Sequence, residues 1–247
     1  MDTILGRAYT YKEEDFDFNK QFVDARIAFL KRYILAWKPK KILELGCGNG
    51  RFSHELSKLC GATVYGIEVS DSGIKTARAH GIIVKKADLN KTVPFENNTF
   101  DLVISDQLIE HIVKTDVLLG ESKRVLKKGG RMVIITPNLS FWFNRILFLF
   151  GEYPLFLEVS DISKVYGTRI LRNLMREPEA MGHVRVFNLP ALTDLIEASG
   201  FTIEESFGLP LSWNLPKVLK AMYDAIDCLA SLKTSLSRDI GIIAVKR

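Results

Sequence analysis

The segment that most constrains the fold of this chain is a glycine-rich turn at residues 44–50, Glu-Leu-Gly-Cys-Gly-Asn-Gly. It follows the apolar run 41–43 and precedes a segment of helical spacing that starts near Arg51. This order predicts a buried strand, a tight turn and a helix N-terminus. Glycines in such a turn let backbone N–H groups approach a ligand, because no Cβ stands in the way. The turn therefore predicts a ligand site.

Apolar runs recur at regular intervals after this turn and alternate with segments of helical spacing. Strands that alternate with helices predict βαβ units, a parallel sheet and right-handed crossovers. The predicted strands are 42–45, 64–67, 82–84, 102–105, 132–136, 201–207 and 240–245. Three further helices are predicted. One precedes the sheet at 17–36, one begins after the cap residue Asn188 and ends at Gly200, and one spans 213–236.

An acidic residue stands at the end of each of the first four predicted strands, namely Glu44, Glu68, Asp88 and Asp106. In open α/β sheets, ligands bind at the carboxyl ends of the strands. We therefore expect these four carboxylates to converge on the edge of the sheet that carries the glycine turn.

Two kinds of nucleotide-type ligand compete for this pattern. In dinucleotide-binding proteins with the fingerprint Gly-x-Gly-x-x-Gly, the pyrophosphate binds at the helix N-terminus. In this chain the sixth position of that fingerprint is Arg51 and not glycine. Glu44 would also repel a pyrophosphate. A ligand with an ammonium and a sulfonium group and no phosphate would be attracted by Glu44, and S-adenosylmethionine has this chemistry. A glycine turn in a non-catalytic Rossmann-like domain is the alternative.

At this point the chain resembles the class I S-adenosylmethionine-dependent methyltransferases, whose first motif is [Asp/Glu]-x-Gly-x-Gly-x-Gly. The resemblance covers about residues 41–138 and, more loosely, continues to Phe207. The run 100–111 is similar to the fourth-strand motif of the branch that contains the ubiquinone-biosynthesis O-methyltransferases, and it ends in Ile109-Glu110-His111 as that branch often does. The resemblance implies an α/β fold, a Rossmann-like seven-stranded and mostly parallel sheet with an inserted helical cap. It also implies S-adenosyl-L-methionine as the cofactor.

The resemblance also implies roles for individual residues. Glu68 would accept hydrogen bonds from both ribose hydroxyls, since one carboxylate can serve two adjacent donors. Asp88 would accept from the adenine amine, and Glu44 would hold the loop or receive the ammonium group. A helix N-cap at Glu68 and a turn aspartate at Asp88 are the competing interpretations. The full set of expected cofactor residues is Glu44, Gly46, Cys47, Gly48, Asn49, Gly50, Glu68, Val69, Asp88, Leu89, Asp106 and Gln107.

His111 and His183 are the candidate catalytic bases, because an unperturbed histidine titrates near neutrality. His111 lies just past the fourth predicted strand, and His183 lies in a segment, 182–187, that recurs in this branch. For His183, a loop histidine that bonds the backbone is an equally strong interpretation. Some members of the branch have a carboxylate in place of Gln107 and use it, with the Glu-His pair, for a metal. With glutamine at this position, we expect no metal site.

The composition excludes several other classes of protein. The 247 residues are 47% hydrophobic and 26% charged, and the net charge of +5 is spread along the chain, so we expect no nucleic-acid partner. Three cysteines at unrelated spacings argue against a disulfide framework. Residues 1–19 are polar and acidic, which predicts no signal peptide, and the apolar run 141–150 is too short to span a bilayer. We expect a cytoplasmic protein without stable membrane insertion, for which peripheral contact is conceivable.

We expect a single methyltransferase domain over residues 1–247, acting as a monomer or homodimer. Its expected parts are an N-terminal helical segment (1–40), a cofactor-binding core (41–136), an inserted cap (137–187) and the C-terminal part of the core with a helical extension (188–247). The expected reaction is O-methylation of a small-molecule or of a lipid- or sugar-linked acceptor. The alternative is a methyltransferase-like binding partner of a biosynthetic acyltransferase of methionine synthesis, which segments 67–88, 137–138 and 148–154 also resemble.

Overall fold

The computed structural model describes residues 15–169, 179–210 and 217–247. The described residues form seven helices and seven strands, with short 3-10 helices at Ile109–His111 and Thr234–Leu236. The helices are α1 (Asp15–Trp37), α2 (Arg51–Cys60), α3 (Asp71–Ala79), α4 (Thr115–Val125), α5 (Trp142–Leu149), α6 (Leu189–Ala198) and α7 (Lys217–Ala230). The strands are β1 (Lys41–Leu45), β2 (Thr63–Glu68), β3 (Ile83–Lys86), β4 (Phe100–Asp106), β5 (Leu126–Pro137), β6 (Thr202–Leu209) and β7 (Asp239–Val245).

The strands form one sheet in the order β3-β2-β1-β4-β5-β7-β6. Strands β1 to β5 pair in parallel, and only β7 runs antiparallel to its two neighbours. This arrangement confirms the predicted seven-stranded, mostly parallel sheet. The strand order reverses between β1 and β4, which is the place where open α/β sheets bind ligands.

Helices cover both faces of the sheet, so central strands such as β1, β4 and β7 are buried on both sides. In β1, Leu43 and Leu45 face the layer that contains α4 and α6, whereas Ile42 faces the layer of α1, α2 and α3. This alternation follows from the pleat, which turns successive side chains to opposite faces. A parallel sheet covered on both faces needs continuous apolar runs, and the sequence supplies them.

The predicted limits of α6 are confirmed by its capping groups. The Asn188 side chain accepts a hydrogen bond from the Ala191 N–H at 3.0 Å, and Pro190 stands in the first turn. Gly200 follows the helix with a φ of 78°, a conformation that other residues adopt only with strain. These local signals are sufficient to place both ends of the helix.

The start of β5 differs from the prediction. The strand begins at Leu126, because the backbone groups of Gly129 and Gly130 pair with Lys246 at the end of β7. In the pairing with β4, Phe100 faces Leu126 and Leu102 faces Arg131. Residues 127–130 therefore form a bulge opposite Asp101, ahead of the predicted start of the strand at residue 132.

Residues 137–187, which we call the cap, contain α5 and a long irregular segment, of which 170–178 lie outside the described residues. Phe141 and Leu147 of the cap pack with Tyr223 of α7, and the Trp142 Nε1–H donates to Asp227 at 2.9 Å. The predicted helix 213–236 is shorter in the structure, and 213–216 lie outside the described residues. No helix in the described part of the chain combines the length and hydropathy needed to cross a bilayer.

Candidate functional site

The glycine turn connects β1 to α2 in a conformation that glycine alone adopts without strain. Gly46, Gly48 and Gly50 have φ values of 68°, 53° and 77°. A Cβ on Gly50 would lie 2.7 Å from Ala77 in α3, so this position also lacks space for a side chain. The buried Cys47 donates its backbone N–H to Ile67 of β2 at 2.9 Å. The turn is thus fixed against both β2 and α3.

The Glu68 carboxylate at the end of β2 holds the turn in place. One oxygen accepts from the Gly48 N–H at 2.9 Å, and the other accepts from the N–H groups of Val69 and Ser70 at 2.8 Å each. A carboxylate has about four acceptor positions. Three are therefore used within the protein, and one remains for a ligand. The helix N-cap of α3 is Ser70, which differs from the competing interpretation of Glu68 as the cap.

Glu44 lies under the turn and is only 4% exposed. Its carboxyl accepts a hydrogen bond from the Ser53 hydroxyl in the first turn of α2. Burial raises the pKa of Glu44 to about 8, and the negative charges of Asp106 and Glu68 act in the same direction. The structure therefore brings together three of the four acidic side chains that the strand ends predicted to converge, Glu44, Glu68 and Asp106.

Asp88 stands two residues beyond β3 and is part of a turn. Its carboxylate accepts from the backbone and side-chain N–H groups of Asn90 at 3.0 and 3.1 Å. Burial acts to raise the pKa of Asp88, but the hydrogen bonds from Asn90 and the charge of Lys91 lower it on balance. Leu89 is buried beside it, and Val69 at the end of β2 is 41% exposed. The adenine role of Asp88 stays a prediction.

Asp106 at the end of β4 forms an ion pair that the sequence did not predict. Arg26 of α1 contacts Asp106 at 3.0 Å through Nε and Asp239 at 3.4 Å through a terminal nitrogen. Burial raises the pKa of Asp106 to about 6, and Arg26 opposes this shift. The available signal was the position of Arg26, four residues after Phe22 on the apolar stripe of the predicted helix. Its guanidinium fixes α1 over the edge of the sheet.

Gln107 directly follows β4 and has an unusual backbone conformation. Its φ is 49°, a region that costs a residue with a side chain about 1–2 kcal/mol. Its backbone N–H donates a hydrogen bond to the Ile135 carbonyl at 2.9 Å. Its buried side-chain Nε2 has no hydrogen-bond partner among the described residues. Buried amide donors are normally satisfied. An unpaired donor beside the glycine turn fits a ligand rich in acceptor atoms.

His111 and His183 come together although 71 residues separate them. Their ring centroids are 4.9 Å apart. The backbone N–H groups of Val184 and Arg185 donate to the Glu110 carbonyl, which ties the two segments together. The Nδ1 atoms contact carbonyl oxygens, at 3.0 Å for His111 and 2.7 Å for His183. Because a carbonyl only accepts, each Nδ1 carries the proton and each Nε2 carries the lone pair.

Both imidazoles are neutral at physiological pH. Burial and, to a lesser degree, the neighbouring His183 lower the pKa of His111 to about 4, against the effect of the Gly182 carbonyl. Burial also lowers the pKa of His183. Glu158, which no sequence pattern indicated, positions His183 by accepting from the N–H groups of residues 181–183 at 2.6, 2.8 and 3.0 Å. The pair can therefore accept a proton.

Ligand atoms of Glu110, His111 and His183 lie within 4.8 Å of one another, a spacing that one metal ion could bridge. Burial, however, raises the pKa of Glu110 to about 8, and one of its oxygens accepts from the Thr136 hydroxyl at 2.9 Å. A carboxyl that is protonated at neutral pH is a poor metal ligand. The expectation of no metal at this position stays a prediction, which chelation can test.

Comparison with known proteins agrees with this geometry. Residues 43–134 match the family model of the methyltransferase domain. A possible histamine N-methyltransferase from Thermotoga maritima, a solved S-adenosylmethionine-dependent methyltransferase structure, has the same fold, with a TM-score of 0.55 and 20% identity, over 94% of this chain and 95% of that one. Residues 43–134 therefore match a methyltransferase domain, and the described residues have the fold of this solved methyltransferase.

Among curated proteins, the chain is similar to ubiquinone biosynthesis O-methyltransferases. The human mitochondrial protein is 32% identical over 134 residues, which are 47% of this chain and 36% of the relative. The protein of Pelagibacter ubique strain HTCC1062 is 35% identical over 102 residues, which are 40% of this chain and 42% of the relative. The match thus spans about two fifths of the length of either relative and lies within the same branch that the Glu-His motif indicated.

Proposed function

We propose that this chain transfers the methyl group of S-adenosylmethionine to an oxygen atom of a small-molecule or lipid-linked acceptor. The observation that carries the proposal is the joint position of the glycine turn, the buried strand-end acids and the His111–His183 pair. They lie beyond the carboxyl ends of β1, β2 and β4, beside the topological switch point. The names of the curated relatives support oxygen as the acceptor atom.

The chain's own residues bind and orient the two reactants. In the proposal, the turn 46–50 and Gln107 face the methionine part of the cofactor, and Glu68 uses its remaining acceptor position for the ribose. The bound cofactor supplies an electrophilic methyl group on a sulfonium. Holding donor and acceptor in attack geometry can supply roughly 7–11 kcal/mol of the barrier. Positioning by these residues is therefore the main contribution of the protein.

His111 accepts the proton of the acceptor hydroxyl in this proposal. Its imidazole is unprotonated at neutral pH, because burial keeps its pKa at about 4. A general base typically contributes about 10²–10⁴-fold. A base with so low a pKa is weak, so we place its share at the lower end of this range. His183 is the second candidate for the general base.

The exposed side chains of the cap and of the end of α7 favour an acceptor with a large apolar part. At the end of α5, Leu149 and Phe150 are 84% and 68% exposed, and Leu229 and Leu232 at the end of α7 are 70% and 84% exposed. Soluble proteins rarely expose several large apolar side chains on neighbouring elements without a partner. Such residues suit shallow insertion into a lipid interface. We therefore propose peripheral contact with a membrane that carries the acceptor.

Transfer of a labelled methyl group tests the proposal most directly. Calorimetry should first show that S-adenosylhomocysteine binds in the micromolar range, near −8 kcal/mol, whereas NAD gives no heat. S-Adenosylmethionine with a ¹³C-methyl group is then incubated with extracted membrane lipids or with a water-soluble extract. The carbon shift of the product distinguishes an O-methyl from an N-methyl group. Cofactor binding without any labelled product from either extract would contradict the methylation proposal.

Vesicle flotation tests the acceptor class separately. Leu149→Asp with Phe150→Asp should abolish flotation with anionic vesicles and leave cofactor affinity unchanged. The matched control combines Leu35→Asp with Ile83→Asp, which alters two other exposed apolar residues, on α1 and β3, outside the cap. Flotation that survives the double substitution would remove the lipid-interface proposal and leave the methylation proposal intact. The acyltransferase-partner alternative gains no support, because the human, Pelagibacter and Thermotoga relatives are all named as methyltransferases.

A further inference from the structure

A cavity lies at the edge of the sheet opposite to the glycine turn. It has a volume of about 400 Å³ and lies between the end of α1, the start of β4 and the bulge 127–130 of β5. Strand β1 separates it from the turn, and five residues of strand span about 15 Å. The cavity is therefore distinct from the proposed methyl-transfer site, and a ligand could bind there whether or not the chain transfers methyl groups.

The lining of this cavity is strongly basic. It contains the five cationic residues Lys38, Lys40, Lys127, Lys128 and Arg131, and the single acidic residue Asp101. Lys127 and Lys128 belong to the bulge, whereas Lys38 and Lys40 belong to the connection from α1 to β1. Bulges of this kind re-aim side chains and are common beside binding sites. A Cβ on Gly130 would lie 2.8 Å from the Lys127 carbonyl, so the bulge depends on glycine there.

The acidic groups near the cavity already form hydrogen bonds and ion pairs within the protein. Asp101 accepts from Lys127 Nζ at 2.7 Å and from the backbone N–H groups of Lys40 and Lys41 at 2.9 Å each. Arg131 pairs with Glu204 at 2.7 Å. These contacts leave Lys38, Lys40 and Lys128 exposed, and none of the three has an acidic partner among the described residues. Three ammonium groups thus border one cavity without compensation.

Lys38 also has a strained backbone. Its φ is 50°, directly after the last residue of α1, where glycine or asparagine is the usual residue. A lysine in this left-handed region is less stable than one in an ordinary conformation, because its Cβ crowds the following carbonyl oxygen. Such outliers are concentrated at binding sites, where the surrounding structure maintains them. The dipole of α1 places about half a negative charge at the helix C-terminus. The cationic side chains of the cavity carry several times more charge than is needed to balance it.

We propose that this cavity binds a diphosphate group. Lysine serves as a point-charge ligand for phosphate oxygens, and three unpaired lysines match a compact ligand with several negative charges better than a single carboxylate. The volume lies within the range of small-ligand pockets, which is about 300–1,000 Å³. Free pyrophosphate and the diphosphate of a nucleotide share this chemistry, and the two sources are distinguished by experiment.

Calorimetry at low ionic strength, with inorganic pyrophosphate and with ADP as separate probes, tests the proposal on the full-length chain. The test variant combines Lys38→Gln, Lys40→Gln and Lys128→Gln. Loss of one lysine charge at about 4 Å from a phosphate charge in water weakens binding about fivefold. The triple variant should therefore bind pyrophosphate about 100-fold more weakly than the wild type. The matched control combines Lys31→Gln, Lys75→Gln and Lys233→Gln, which removes the same charge elsewhere and should leave the affinity within about threefold.

S-Adenosylhomocysteine binding and thermal unfolding show whether each variant is folded, and both should match the wild type. Equal affinity for pyrophosphate and ADP supports the diphosphate alone as the ligand, and tighter binding of ADP supports a nucleotide. If neither probe binds the wild-type chain, the proposal is wrong. An equal loss of affinity in the control variant would also overturn it, because the binding would then reflect net charge and not this cavity.

Discussion

Replacement of Glu68 by alanine tests the central part of the proposed cofactor site. The substitution removes three hydrogen bonds to the carboxylate, from Gly48, Val69 and Ser70, and leaves their N–H groups without this acceptor. Bonds to a charged group contribute about 1.5–3 kcal/mol each, but bonds to one carboxylate are not additive. We expect Glu68→Ala to lower the free energy of unfolding by about 2–4 kcal/mol.

The same substitution should weaken cofactor binding, because it removes the ribose acceptor and loosens the turn at Gly48. We expect a loss of about 2–4 kcal/mol, which corresponds to about 30- to 700-fold in affinity for S-adenosylhomocysteine. Glu68→Gln should lose less, since its amide oxygen can still accept from Val69 and Ser70. Urea denaturation of the free protein measures the stability, and calorimetry measures the affinity.

Glu55→Ala is the matched control for Glu68→Ala. Glu55 lies on α2 and makes an exposed ion pair with Lys58 at 3.2 Å, so its removal should change neither quantity by more than about 0.5 kcal/mol. A Glu68→Ala protein that is destabilised but binds S-adenosylhomocysteine like the wild type would assign a purely structural role to this carboxylate. Unchanged stability would refute the reasoning from the three hydrogen bonds.

Three further predictions concern the acidic and histidine side chains. His111→Ala should lower turnover by about 10²-fold and leave cofactor affinity nearly unchanged, as measured by steady-state kinetics and calorimetry, and a fully active variant would remove the base assignment. Exhaustive chelation followed by gel filtration should leave methyl transfer unchanged, whereas a loss that added metal restores would show a metal site at Glu110. Glu44→Gln should stabilise the free protein at pH 8 and have little effect at pH 5, as measured by urea denaturation at both pH values.

The regular part of the fold could be predicted because it depends on local signals. Apolar runs of strand length, helical spacing between them and the caps of α6 each act over a few residues. The convergence of Glu44, Glu68 and Asp106 also followed from the sequence, since the carboxyl ends of parallel strands meet at one edge. The position of the glycine turn before α2 needed only the order of the elements.

The contacts that complete the candidate site could not be predicted, because they join distant segments. Nothing near Asp106 in the sequence indicates that Arg26, 80 positions earlier, forms its ion pair. The approach of His183 to His111 depends on the path of the cap, which Glu158 fixes through backbone N–H groups. The bulge in β5 depends on pairing with Lys246 at the end of the chain. Tertiary pairing decides each of these features.

The buried carboxyl of Glu44 shows why this site trades stability for binding. Burial raises its pKa to about 8 in the folded protein, against 4.5 for an exposed glutamate, so the folded state binds more protons between these values. Its contribution to stability is complete below about pH 4.5 and falls as the pH rises towards 8, by up to about 1.4 kcal/mol per pH unit. Glutamine keeps the acceptor for Ser53 and never ionises, which is why its advantage should grow with pH. A cationic ligand favours the ionised carboxylate, so cofactor affinity of the wild type should increase over the same range. If affinity in the Glu44→Gln variant increases with pH just as in the wild type, Glu44 does not receive the ammonium group.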